Sequence, residues 1–147
     1  MKRSSVILVS VGIILLIILV GCASTGDKPG ASNGTIDILD GTNWNLDTYQ
    51  ESSLMEGTSF TISFTAGQVH GNAGCNSFFG SYTLNGSQIA FSALGMTEMA
   101  CLEPEGLMDQ EQALLAFLGD GQSFDISAGR FSIFRTDGEA LLFNPLP

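Results

Sequence analysis

From residue 35 onward the apolar residues recur at every second position, a period that confines the chain to strands with one buried and one solvated face. Trp44, Leu46 and Thr48 alternate with Asn45, Asp47 and Tyr49; Phe60, Ile62 and Phe64 alternate with Thr61, Ser63 and Thr65. Ala66-Gly67 turns the chain into a strand over Gln68 to Cys75, and Gly80 opens another that carries Tyr82 and Leu84. Asn85-Gly86 predicts a type I′ hairpin turn, because both central residues of that turn need positive φ, and Ile89 and Phe91 follow on one face. Later, Phe124 and Ile126 lead through Ala128-Gly129 to Phe131 and Ile133, and Thr136 to Glu139 turns into a last strand, Ala140 to Phe143.

One segment breaks the alternation. Between Pro104 and Leu118 the apolar positions Leu107, Met108, Leu114, Leu115 and Leu118 fall at helical spacing, with Pro104 suited to a first turn and Gly119 to a stop. The acids from Glu98 to Glu111 read as a solvated face near the helix start, where the dipole favours negative charge. The expected fold is therefore mainly β (α+β), a single small domain over 35–147. About eight antiparallel strands form a curved or barrel-like sheet, with one amphipathic helix, 104–118, covering an opening or a face.

Ahead of the domain lie two segments of other kinds. Lys2 and Arg3 precede an uncharged apolar run from Val6 to Gly21, the layout of an export signal. The run is shorter than the roughly 20 residues a spanning helix needs. Leu19-Val20-Gly21-Cys22 resembles the lipobox of prokaryotic lipoproteins. That resemblance implies cleavage after residue 21 and a diacylglycerol on the Cys22 thiol, and two or more acyl chains hold a protein stably on a bilayer. Residues 22–34 are small and polar, a flexible tether with nothing to bury. Ala23 stands where an aspartate would signal inner-membrane retention, which leans toward the outer membrane if the host has one. The chain is thus expected to be exported and lipid-anchored to the cell membrane or outer membrane, its domain facing the periplasm or exterior.

Charge excludes several partners. The domain holds fourteen of the fifteen acids against only Arg130 and Arg135, with His70 as the single imidazole. Phosphate backbones need clustered Lys and Arg, so nucleic acid is excluded, and so is electrostatic docking on anionic lipid.

The chemistry-bearing residues are few. With Cys22 assigned to lipid, Cys75 and Cys101 form an even pair that reads as a disulfide in an exported chain, with two buried thiols or soft metal ligands as alternatives. Met96, Met99, Cys75, Cys101 and His70 could suit copper, yet Met96 and Met99 would face opposite sides of a strand, so no metal and no cofactor is expected. Among the acids there is no EF-hand spacing, no serine motif accompanies His70, and no lysine follows Gly71, Gly74 and Gly80 as a phosphate loop would require. The chain reads as a monomer without catalytic residues.

Several motifs then follow in a fixed order: Trp44-Asn45-Leu46, Gly71-Asn72-Ala73-Gly74-Cys75-Asn76, Phe79-Gly80-Ser81-Tyr82, Met96-Thr97-Glu98-Met99-Ala100-Cys101, a helix with Glu111, and Leu142-Phe143. Over residues 36–143 this resembles the META domain, or HslJ-like, family, whose members include a heat-shock lipoprotein. Gly74, Cys75, Asn76, Gly80, Tyr82, Met99, Ala100 and Cys101 carry the likeness. It implies an exported, often lipid-anchored β domain with no established catalytic activity. The first functional expectation is a binding module for an envelope protein or lipid, acting through the mouth of the sheet near Gly71 to Tyr82 and the helix after Cys101. The alternatives are a secretin-pilot-like factor sheltering a lipid or peptide tail in its interior and, third, an extracellular peptidase inhibitor.

Overall fold

The structure is a computed structural model that describes residues 36–49 and 53–147. The signal segment, Cys22 and the tether lie outside the described residues. The strands are β1 (Asn43–Tyr49), β2 (Thr61–Thr65), β3 (Gln68–Asn72), β4 (Ser77–Asn85), β5 (Gln88–Met96), β6 (Ser123–Ser127), β7 (Arg130–Phe134) and β8 (Ala140–Pro145). Helix α1 (Leu107–Gly119) is inserted between β5 and β6. All strand pairs are antiparallel and follow chain order, and β1 pairs with β8 from Trp44↔Pro145 to Tyr49↔Leu141, so the sheet closes into a barrel-like ring. The sequence expectation of eight strands and one helix holds.

Period two places one residue of each pair inside the ring. Trp44, Leu46, Ile62, Phe64, Val69, Phe78, Tyr82, Ile89, Phe124, Phe131, Ile133, Leu141 and Phe143 are all buried. Phe131 is the hub of this core, its ring centroid 5.2 Å from Trp44, 5.5 Å from Phe64 and 5.3 Å from Phe143. Phe60 stacks on Phe78 at 5.1 Å. A small barrel filled by side chains in this way has a packed interior.

The turns show how the chain meets the right-handed twist of its hairpins. Thr65↔Gln68 and Ser127↔Arg130 are closed by Ala66-Gly67 (φ 49° and 77°) and Ala128-Gly129 (φ 50° and 76°), both of the I′ class. The Asn85-Gly86 expectation is corrected by one residue: Asn85 pairs with Gln88, the loop is Gly86-Ser87, and only Gly86 has positive φ, as in a II′ turn. The register of the flanking strands, set by burying Tyr82 and Ile89, fixes this choice. Two strand limits also differ from expectation: β3 ends at Asn72, where Ala73 to Asn76 turn away, and β4 starts at Ser77.

Helix α1 begins three residues later than expected. Pro104 belongs to the turn before it, closed by the Leu107 N–H donating to the Pro104 carbonyl, and Gly106 at φ 89° precedes the first helical residue. Gly119 is the last helical residue, with Asp120 as the cap, its N–H donating to the Ala116 carbonyl at 3.1 Å. Leu107, Leu114, Phe117 and Leu118 are buried against the ring. The ring needs this cover, because β5 and β6 share the single register pair Gln88↔Ser123. Among the described residues no strand pairs with β5 on that side beyond Gln88, and the C-terminal end of α1 lies there, with Gly121 against Phe91 and Ile133.

At Asp37 to Thr42 a short segment is fixed by polar contacts. The Gly41 N–H donates to the Phe64 carbonyl at 2.8 Å, Asp40 accepts from the Ala66 N–H at 2.6 Å, and Leu39 is fully buried.

Candidate functional site

The densest polar arrangement joins the turn after β3, the segment after β5 and the first turns of α1. Its centre is Glu111, fully buried. Residues 107, 111, 114 and 118 form the core-facing stripe of the helix, so a glutamate occupies a core position there. One carboxylate oxygen accepts from the backbone N–H groups of Cys75 (2.5 Å) and Asn76 (2.6 Å), and the other accepts from the Asn76 Nδ2 at 2.8 Å. The expected solvated acidic face is thus corrected for Glu111: burial of a carboxylate requires partners, and the 75–76 turn supplies three donors.

Asn76 relays this clamp to the segment after β5. Its Oδ1 accepts from the Thr97 hydroxyl and the Met99 N–H, both at 2.8 Å, and its Nδ2 also donates to the Met99 carbonyl at 3.2 Å. No buried side-chain nitrogen or oxygen among the described residues lacks a partner. A disulfide between Cys75 and Cys101, with Cα atoms 6.4 Å apart, ties the same two segments covalently.

The family-motif residues divide into two groups. Gly74, Cys75, Asn76, Met99, Ala100 and Cys101 gather around the helix. At Gly74 (φ 138°) a Cβ would lie 2.8 Å from Leu107 Cδ1 and 3.3 Å from Glu111 Oε1, so the close approach of α1 requires glycine. Gly80 and Tyr82 lie elsewhere. Gly80 faces a bulge in β5, where Phe79 pairs with Gly95 and Ser81 with Ser92, leaving Ala93 (φ 52°) and Leu94 opposite one residue. Tyr82 holds the segment before β1: its hydroxyl donates to Asp37 at 2.6 Å, and burial together with the Asp37 carboxylate pushes its pKa upward.

Beside the clamp runs an open groove of about 410 Å³, walled by Leu94 to Ala100 on one side and by Met108, Gln112 and Leu115 of α1 on the other. Three methionines line it, Met96, Met99 and Met108. The strand-based separation of Met96 from Met99 is corrected: β5 ends at Met96, and the following coil brings Met99 to the same groove. Phe79, 57 % exposed, lies over Gly95 of the groove wall. His70 is exposed on β3 opposite Phe79, and the two cysteines are bonded to each other, so the copper ligand set does not assemble. No group of three His, Cys, Asp or Glu side chains that could hold a metal occurs among the described residues. The sequence carries no signal for Gln112 or for the Thr97 bond to Asn76, whereas the helical stripe through residues 107, 114 and 118 is the available signal for the buried position of Glu111.

The family model of the META domain matches residues 37–146. The chain belongs to the META domain family. Within it, the clamp, the disulfide and the groove all lie inside the matched span of the META domain. An NMR structure of a protein from Burkholderia xenovorans superposes with a TM-score of 0.60 at 24% identity, covering 81% of this chain and 97% of that one. A second NMR structure gives a TM-score of 0.59 at 21% identity, covering 72% of this chain and 90% of that one. These two share the fold. No curated protein matches the chain.

Proposed function

We propose that this META-domain protein is a non-enzymatic binding module, held on the outer side of a membrane by lipid at Cys22 and contacting an envelope partner through the groove between residues 94–100 and α1. The observation that carries the reading is the groove itself. Its lining is largely apolar and open to solvent, while the Cys75–Cys101 disulfide ties one wall, and the Glu111–Asn76 clamp the other, to the same 75–76 turn. A surface held this rigidly loses little conformational entropy on binding. A disulfide also suits an oxidising, extracytoplasmic compartment. The aromatic cluster around Phe131 inside the ring favours this reading over a pilot-like factor that shelters an acyl chain there.

Two measurements in the native host test this. Membrane fractionation of the wild type and Cys22→Ser is expected to show a mature, membrane-retained protein and an unprocessed precursor, respectively. Crosslinking of intact cells followed by co-purification is expected to recover a specific envelope protein. Normal processing and retention of Cys22→Ser would remove the anchor, and recovery of no specific partner would remove the binding role.

A further inference from the structure

The groove has a charge to match as well as a shape. No lysine or arginine occurs between Lys28 and Arg130, so every residue of the groove walls and of the loop joining them comes from a stretch without cations. Glu98 is part of one wall. Outside the other wall, Asp109 is exposed on α1 three residues before the wall residue Gln112, close enough along the helix for its carboxylate to flank the groove. Glu103 and Glu105, both exposed, stand in the connecting loop. Beside Glu98 the lining presents the three methionines with Leu94 and Leu115. Met99 is 55 % exposed and Leu102 84 %. Thioether side chains are flexible and polarisable, so a methionine floor adapts to apolar side chains of varied shape. An apolar floor under a rim of one charge selects an occupant that is apolar along one face and of the opposite charge along its edges.

Resting on the binding role proposed above, we infer that the groove takes a cationic amphipathic peptide segment of a partner protein. Apolar side chains of that segment enter between Met96, Met99 and Met108, while its lysines or arginines lie over Glu98 and Asp109. The acidic rim also disfavours anionic headgroups, which separates this occupant from the surface of an anionic membrane.

The test uses the full-length lipidated protein in neutral detergent, with ¹³C-methyl methionine as reporter and a synthetic Leu/Lys amphipathic helical peptide as probe. The methyls of Met96, Met99 and Met108 are expected to shift on titration while that of Met55, outside the groove, stays in place. A matched Leu/Glu peptide is expected to leave all of them unmoved. Charge reversal by Glu98→Lys with Asp109→Lys is expected to weaken binding at least tenfold. The equal reversal Asp47→Lys with Asp125→Lys, at exposed strand positions outside the groove, should change it less than twofold.

Equal binding of the Leu/Glu peptide, equal weakening by the two reversals, or an unmoved methionine triad would overturn the inference. So would shifts of the same methyls produced by anionic lipid alone, or by rising protein concentration without peptide, which would assign the groove to a lipid or to a second copy. Failure here alongside recovery of an envelope partner in crosslinked cells refutes the cationic occupant alone. Failure of both refutes the binding role itself.

Discussion

Glu111→Leu tests the clamp most sharply, because it removes the acceptor while two of its three donors are fixed by the backbone. The Cys75 N–H, the Asn76 N–H and the Asn76 Nδ2 all donate to the Glu111 carboxylate, and Glu111 and Asn76 are fully buried. Each orphaned buried donor costs about 1–3 kcal/mol, partly offset by the apolar surface that leucine buries, so a loss of about 3–6 kcal/mol is expected. That is a large share of the roughly 5–15 kcal/mol that holds a domain folded. Glu111→Gln keeps one oxygen for the two backbone donors but turns its NH₂ toward Asn76 Nδ2, so about 2 kcal/mol should be lost. The exposed Glu105→Gln should stay within about 0.5 kcal/mol of wild type. The assay is urea unfolding of the oxidised full chain, comparing midpoints at constant slope. A Glu111→Leu variant within about 1 kcal/mol of wild type would refute the clamp, since it would mean that the three donors find other partners at little cost.

Other outcomes follow from the turns, the disulfide and Tyr82. Ala66→Asn and Ala128→Asn place a residue that tolerates positive φ where alanine now stands at 49° and 50°, so each should raise stability by a few tenths to about 1 kcal/mol in thermal unfolding. Thiol titration of the mature, unfolded but unreduced protein should find no free cysteine, and Cys75→Ala with Cys101→Ala should lower stability by about 3.5 kcal/mol, the chain-entropy value for a loop of this size. Because the folded pKa of Tyr82 is raised above its unfolded value near 10, its contribution is fully present below pH 10 and declines as pH rises beyond it. Stability measured from pH 9 to 11.5 should therefore fall more steeply in the wild type than in Tyr82→Phe; parallel curves would contradict a Tyr82 pKa raised by burial and the Asp37 contact.

Much of the ring was legible because its signal is local. Alternation at Phe60, Ile62 and Phe64 or at Phe131 and Ile133 depends only on which face is buried, and the structure buries all of them fully. Ala66-Gly67 and Ala128-Gly129 also announced their turns from two residues each. What the sequence concealed depends on long-range contact. Glu111 looks like any helical acid until Cys75 and Asn76, 36 and 35 residues earlier, turn their N–H groups toward it. Met96 and Met99 look separated until the strand ends between them. The helix start was misplaced because Pro104 satisfies the local rule for a first turn, whereas the observed boundary is set by Gly106 and by packing of Leu107 against the 73–76 turn. The pairing of Asn85 with Gln88 likewise follows from strand register, which outweighs the preference of one dipeptide.

The proposed binding role places partner contact at the groove beside α1. A photo-crosslinking residue at Gln112, on the groove wall, and one at Ala90, exposed on β5 away from it, compare the two surfaces directly in intact cells. A discrete adduct with an envelope protein is expected from position 112 and none from position 90. Equal adducts from both positions, or an adduct from position 90 alone, would contradict it.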